Sequence, residues 1–421
     1  MNRLLVILLL LNFVSLMSPS LGDVTPALTQ WSVPQGQQPF GIEVVSDRIW
    51  YTSTTGAIAT LDPTTNTFTG WPVSGAGVDY PAFLKILGSK IFFTDLYGSS
   101  ICILDLDTDK VGAIHIPTDG GGPFGLSLFP SASPTHVLFT ESQAAKIGRL
   151  DLAHVQYVPV DAPRSSVTNS PTFNNVVPEV NVVTPIITPG NPNLPPPIAS
   201  TPPMNPNPTF TEWAVPSFMT EAPGPIMITS DDTSYWFTTR KNSLGRLVND
   251  DRIYVFSSPT TSARTMDLKL DSLGNIWYTA GDFWGGTPPD IIGKLELSTG
   301  TITEWTVPTT GGAPFCLTID GSGMVWFTEF RGNKIGKLNP STNTFHEFPV
   351  PNSGPAGIAV DSHGTIWFTE VANYGIGGLS TEGMMVPEFP VNIMVLMAGT
   401  SVVLLLMYAT GKPKATRGIT A

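Results

Sequence analysis

The chain has 421 residues with 40 glycines, 40 prolines, 13% charged residues and a formal net charge of −12. So much turn chemistry, without a long amphipathic run, argues against a helical bundle and for many short strands. Outside the termini 17 basic residues stand against 33 acidic ones, and a body carrying −16 repels phosphate backbones, which argues against a nucleic-acid partner.

In chain order, residues 1–22 ("MNRLLVILLLLNFVSLMSPSLG") have one early Arg, an apolar run and a small-residue stop. That is the layout of a secretory signal peptide cleaved before Asp23, with a retained anchor as the alternative. "LTQWSVP" (Leu28–Pro34) then reads as an outer strand that no inner strand precedes; it matches "ITEWTVP" (Ile302–Pro308) far downstream.

A four-residue phrase ending in Thr follows seven times, beginning at Ile49, Ile91, Val137, Tyr235, Ile276, Val325 and Ile366. The spacings are 42, 46, 98, 41, 49 and 41 residues. Each unit reads as four strands: an apolar first strand ("PAGIAV" from Pro355), the aromatic phrase itself, a Gly-bearing third ("KIGKL" from Lys334) and a polar-edged fourth ("EFPVP" from Glu347). Seven such units predict an all-β, seven-bladed β-propeller over residues 23–385, in which radial repetition leaves only short edges; a solenoid is the competing geometry. The leading outer strand predicts non-covalent closure, the N-terminus completing blade 7. Trp326 and Trp367 read as core, Asn333 and Asn373 as loop formers, and Gly336 and Gly377 as positions of close sheet packing.

The long gap holds a Pro-rich insertion, residues 152–208, within blade 3. Its Pro, Asn, Thr and Ser content predicts a disordered, partly polyproline-II arm, with O-glycosylation a further possibility. Cys102 and Cys316 fall in blades 2 and 6, so two separate buried thiols are expected rather than a disulfide. No Asn-X-Ser/Thr acceptor with X other than Pro occurs, so N-glycosylation is not expected.

Residues 386–421 form a tripartite end. "VNIMVLMAGTSVVLLLMYA" (391–409) is 19 uncharged residues, roughly 28 Å as a helix and enough to span a bilayer. Lys412, Lys414 and Arg417 follow it and place the tail in the cytoplasm and the body outside. "VPEFP" (Val386–Pro390) ahead of the span resembles archaeal carboxy-terminal sorting signals, which implies processing by a sortase-like surface enzyme; a further outer strand is the other reading. The expected location is the extracellular face of the membrane, single-pass unless processed.

The residue after each Thr closes the second strand: Ser53, Asp95, Glu141, Thr239, Ala280, Glu329 and Glu370. In a propeller these positions lie on the face where the first strands begin. Asp95, Glu141, Glu329 and Glu370 are therefore metal candidates at the channel mouth for Mg²⁺ or Ca²⁺, which take oxygen ligands; a solvated rim is the bland alternative.

With its Pro-x-Gly-Ile, aromatic-Thr-Glu, Ile-Gly-x-Leu and Glu-Phe-x-Val-Pro phrases, the repeat resembles the virginiamycin B lyases, from about Leu28 to Gly383 apart from the insertion. The resemblance implies a seven-bladed propeller whose elimination chemistry uses Mg²⁺, a His after the Pro of a first strand, a second such His preceded by Glu-Pro, and a Glu near the end of the last blade's second strand. Here the position after that Pro holds Phe40, Ala82, Phe124, Ile226, Phe315 and Ala356, and blade 5 reads "SARTMDL" without Pro. His115, His136, His154, His346 and His363 map to outer strands, turns or the insertion. Only Glu370 stands where a family carboxylate would, as a catalytic candidate, and an elimination needs a base beside its proton. The expected function is a non-catalytic ligand-binding or structural module, with Phe40, Phe124, Phe315, Glu329 and Glu370 contacting an extracellular small molecule, glycan or protein at the channel mouth. The alternative is a metal-dependent lyase or a lactonase-type hydrolase.

Overall fold

The seven Thr residues are where seven sheets become one ring. In the computed structural model, which describes residues 26–189, 199–200, 209–219, 224–262, 264–281 and 289–380, every first strand is the innermost of an antiparallel sheet. Six of these strands are irregular near their start, where the register slips, in five of them beside the Pro and in blade 5 beside Thr265. A bulge of this kind leaves a backbone N–H without a ladder partner. The Thr hydroxyl supplies one. Thr52, Thr94, Thr140, Thr238, Thr279, Thr328 and Thr369 each accept from an inner-strand N–H of their own blade at 2.8–3.2 Å. Each then donates to an inner-strand carbonyl of the next blade at 2.6–3.1 Å, and Thr369 returns to Phe40 to complete the circle.

Blade 6 shows the common plan: Pro314–Ile319, Val325–Glu329, Lys334–Asn339 and Thr344–Pro349, ordered from axis to rim. Its Gly336 sits opposite Phe327, whose ring lies so close that a Cβ would stand 2.1 Å from it. Gly377 faces Phe368 in the same way. These glycines give their space to an aromatic ring on the neighbouring strand, so the expected close packing takes place inside the blade. Between blades the gaps are filled by Trp213, Trp236, Trp326 and their counterparts. Indole N–H groups rarely stay buried without an acceptor. Trp277, Trp326 and Trp367 donate to Asp271, Asp320 and Asp361, six residues back in the preceding turn. Outer-strand Trp31, Trp71 and Trp305 donate across the gap to Asn66, Asp109 and Asn343 in the next blade. Cys102 and Cys316 are separate free thiols, both buried.

The ring closes through its N-terminus. Ala27–Ser32 pairs with Gly375–Ser380, from Ala27 opposite Ser380 to Ser32 opposite Gly375. The expected signal peptide, "VPEFP" and the apolar stretch 391–409 lie outside the described residues.

The insertion departs from expectation. It leaves blade 3 after Leu152–His154 and lays a fifth strand on the rim of one blade after another: Val160–Asp161 on blade 2, Ser165–Thr168 on blade 1 and Thr172–Asn175 on blade 7. It continues with Glu179–Val182 on blade 6, Ile186–Thr188 on blade 5 and Ala199–Ser200 on blade 4. Phe210–Ala214 then supplies the fourth strand of blade 3. Over its described residues it is a belt and not a disordered arm. The composition rule fails because it treats the segment as if it had to bury its own apolar surface. The blade edges supply both the hydrogen-bond partners and the burial.

Replacing Thr369 by Val leaves the Gly357 N–H and the Phe40 carbonyl buried and unpaired, at a cost of about 3 kcal/mol. Thr369→Ser keeps the relay. A guanidinium unfolding midpoint well below wild type for Thr369→Val, and near it for Thr369→Ser, is the expected result; equal midpoints for the two variants would remove the relay's role.

Candidate functional site

The residue after the inner-strand Pro points toward the axis, and it is Phe in blades 1, 3 and 6 and Ala in blades 2 and 7. Ala82 and Ala356 flank blade 1, which leaves room for Phe40 to lean across the opening. Its ring meets Phe83 of blade 2 at 5.5 Å, Phe124 of blade 3 at 5.9 Å and Phe315 of blade 6 at 6.0 Å between centroids. Phe83 and Phe124 meet at 5.1 Å, nearly edge to face. Blades 3 and 6 are not neighbours of blade 1, so rings from both can touch Phe40 only on the axis. The channel is closed by an aromatic plug, edge-to-face as ring quadrupoles prefer. Phe40, Phe124 and Phe315 are thus brought together as expected, but they face one another and are 4%, 7% and 1% exposed. As free rim contacts for a ligand they need correction. The aromatic surface left open above them is Tyr97, which packs on Tyr80, itself against the edge of Phe40.

The acidic candidates do not converge. Each is sealed in its own blade, 0–1% exposed, against a glycine: Gly98 for Asp95, Gly121 for Glu141, Gly312 for Glu329 and Gly375 for Glu370. The Asp95 carboxylate accepts the Tyr80 N–H at 2.8 Å and the Asp79 N–H at 3.2 Å. Glu370 accepts from the Gln30 amide at 2.6 Å, and burial raises its carboxyl above the ordinary value. Glu141 lies beside Glu212, which Lys146 holds at 3.1 Å and Thr118 at 2.9 Å. Blade 6 repeats the arrangement: Glu329 lies beside Glu347, held by Lys334 at 3.1 Å and Thr309 at 2.9 Å. Burial first, and then the neighbouring carboxylate, push Glu141 up to about 8 and Glu329 well above the usual range. The glycines of "PTDGG" (from Pro117) and "PTTGG" (from Pro308) make room for these acids, since a Cβ at Gly121 or Gly312 would stand 2.7 or 2.5 Å from a Glu oxygen. Each site therefore sets a buried carboxyl, whose protonated form burial favours, beside a second glutamate held by a lysine and a threonine, and in blade 6 Glu179 of the belt reaches the same lysine.

Among the described residues no three His, Cys, Asp or Glu side chains gather as a metal ion would require. The shared Mg²⁺ or Ca²⁺ site expected of Asp95, Glu141, Glu329 and Glu370 does not fit this arrangement, because the four side chains turn into four different blades. The described histidines stay off the axis: His136 opens the second strand of blade 3, His154 ends a short 3-10 helix, His363 lies in a turn, and His115 and His346 lie on outer strands, His115 within reach of Ser100.

One cluster went unnoticed in the sequence. Below the plug is a small chamber of about 30 Å³, lined by Phe83, Met227, Cys316, Lys85, Asp267 and Lys269. Lys85 pairs with Glu43 at 2.9 Å and Lys269 approaches Asp267 at 3.5 Å. The Asp267 carboxylate also accepts the backbone N–H groups of Leu268 and, from blade 6, Leu317. The signal was "MDLKL" (from Met266), an inner strand with two charges where the other copies are largely apolar.

Fold and site together define a seven-bladed β-propeller with a plugged axis and a circumferential belt. Residues 202–395 match the model of the virginiamycin B lyase family. A structure of streptogramin B lyase is 21% identical, covers 85% of this chain and 99% of its own, and superposes with a TM-score of 0.61. A catalytically inactive variant of virginiamycin B lyase from Staphylococcus aureus, with one histidine changed to alanine and solved with quinupristin, gives 21%, 84%, 98% and 0.60. Hydrazine synthase from Kuenenia stuttgartiensis gives 12%, 83%, 97% and 0.54. No curated protein matches the sequence. The chain is a seven-bladed β-propeller whose residues 202–395 match the virginiamycin B lyase family, and at these identities the structural likeness is one of fold.

The neutral acids make stability depend on pH. A carboxyl raised from 4.5 to about 8 keeps its proton in the folded chain while the unfolded chain has lost it. Its contribution is therefore complete below the ordinary value, declines as pH rises and is gone above about 8. Between pH 5 and 8 the wild type loses stability at up to about 1.4 kcal/mol per pH unit from this group, and Glu141→Gln flattens the slope. Urea midpoints measured at pH 5 and pH 9 read the difference; parallel pH profiles for the two proteins would contradict a protonated Glu141.

Proposed function

We propose that the protein is a non-catalytic module of the cell surface, a lyase-like propeller retained for binding or for structural work. One observation carries this reading: the axis is filled by Phe40, Phe83, Phe124 and Phe315. An elimination or a hydrolysis needs a base, and usually a cation or an acid, within reach of a bound substrate. The inner-strand positions that resemble those of the lyase family's histidines hold apolar groups in contact with one another. The neutral carboxyls are chemically suited to donate a proton, but at 0–1% exposure they touch no ligand in this conformation. Ligand contact then falls to the face above the plug, where Tyr97 offers an open aromatic ring to an extracellular glycan, peptide or apolar small molecule. The signal peptide and the C-terminal apolar stretch support a location outside the membrane, held by the span or transferred by a sortase-like enzyme.

The test uses the soluble segment 23–387 with quinupristin and millimolar Mg²⁺. No linearised product by mass spectrometry, and no heat of Mg²⁺ or Ca²⁺ binding by calorimetry, is the expected result. Ring opening, or metal binding lost in Glu370→Gln, would establish the enzymatic alternative in its place.

A further inference from the structure

We propose that the belt is a clasp on the ring's non-covalent seam, so that the N-terminal strand can leave blade 7 only after the belt has been peeled away.

The belt's contact residues recur every seven positions. Val155, Ala162, Asn169, Val176 and Val183 turn toward the blades while most of their neighbours face solvent. Ala162 and Val176 are buried, and Val155 and Val183 pack partly buried against the core. The backbone N–H of Ala162, Asn169 and Val183 each donates to the carbonyl of a residue in the outer turn of a blade, Asp109, Asn66 and Asn343 at 2.8–3.0 Å. All three turn residues have positive φ, at 51°, 55° and 56°. The side chains of the same three accept the indole N–H of Trp71, Trp31 and Trp305 from the preceding blade. Belt and inter-blade latch therefore converge on one residue per joint. Seven extended residues reach about 23–25 Å, a span suited to one blade's share of the circumference. Pro171, Pro178 and Pro185 share the period and precede the strands that start at Thr172, Glu179 and Ile186. A proline has no N–H for a ladder and stops a strand from sliding along its partner.

Asn169 marks the seam. Its N–H donates to Asn66 of blade 1 and its side-chain amide to the Ser32 carbonyl of the N-terminal strand at 2.8 Å. Thr172–Asn175 then pairs with that strand along Gln30 to Ala27, and Asn174 donates to Gln30 at 3.0 Å. The N-terminal strand is thus held on both edges, by blade 7 within and by the belt without. Both ends of the belt are rooted in blade 3, so the chain encircles the joint that it fastens.

The experiment replaces residues 190–198 with a specific protease recognition sequence, cuts after folding, and measures hydrogen exchange of the 27–32 amides in intact and cut protein. Exchange at least about tenfold faster after cutting is expected, because a strand whose outer partner can fray opens locally. Asn169→Ala, left uncut, moves exchange of the same amides severalfold, and Val180→Ala, on the exposed side of the belt at blade 6, does not. Should cutting unfold the protein outright, Asn169→Ala still decides the matter. Amides 27–32 exchanging within twofold of wild type in both the cut protein and Asn169→Ala would overturn the clasp and leave the belt a passive coat.

Discussion

A ring of sheets has a difficulty at its centre: strands crowd together there, the chain must bulge, and each bulge leaves a donor that water cannot reach. The Thr relay answers it with one side chain in each blade. Its hydroxyl takes the orphaned N–H of its own blade and gives its proton to the next blade's inner carbonyl, so satisfying one blade aligns its neighbour. Hydroxyls are suited to this because they donate and accept at once. A hydrogen bond adds little net stability, whereas leaving two buried groups unmade costs several times more. The relay therefore acts mainly by penalising every arrangement in which adjacent blades are misaligned.

The other regularities follow from that alignment. With blades at fixed separation the gaps accept tryptophans, and their N–H groups are met by turn residues of the same or the next blade. Inside a blade, aromatic rings lie across glycines of the third strand. On the axis, four phenylalanines occupy what the repeat left vacant, because neighbouring positions are Ala. Burial has been turned to electrostatic effect in blades 3 and 6, where a lysine and a threonine hold one glutamate and burial raises the carboxyl of the second.

Much of this could be read from the chain. The phrase ending in Thr, its count of seven, the orphan outer strand at Leu28 and the close packing at Gly336 are local patterns, and local patterns survive in sequence. The carboxylates could not be assigned in the same way. A strand-end Glu points to the channel or into its blade according to the loop that covers it, and the covering glycines at Gly121 and Gly312 belong to a different segment. Phe40, Phe124 and Phe315 were placed on the correct face. Whether they reach one another depends on the width of the ring, which no single blade contains. Lys85, Asp267 and Lys269 escaped notice for the same reason.

The sequence alone determined the blade and its repetition and offered the N-terminal strand to close the ring, because strand period, turn chemistry and side-chain volume act over a few residues. Only the tertiary structure decided that the Pro-rich insertion is a belt. Its seven-residue rhythm of Val155, Ala162, Asn169, Val176 and Val183 has no meaning until a rim of matching pitch exists to receive it. An extended segment with no core of its own takes its conformation from the edges it finds.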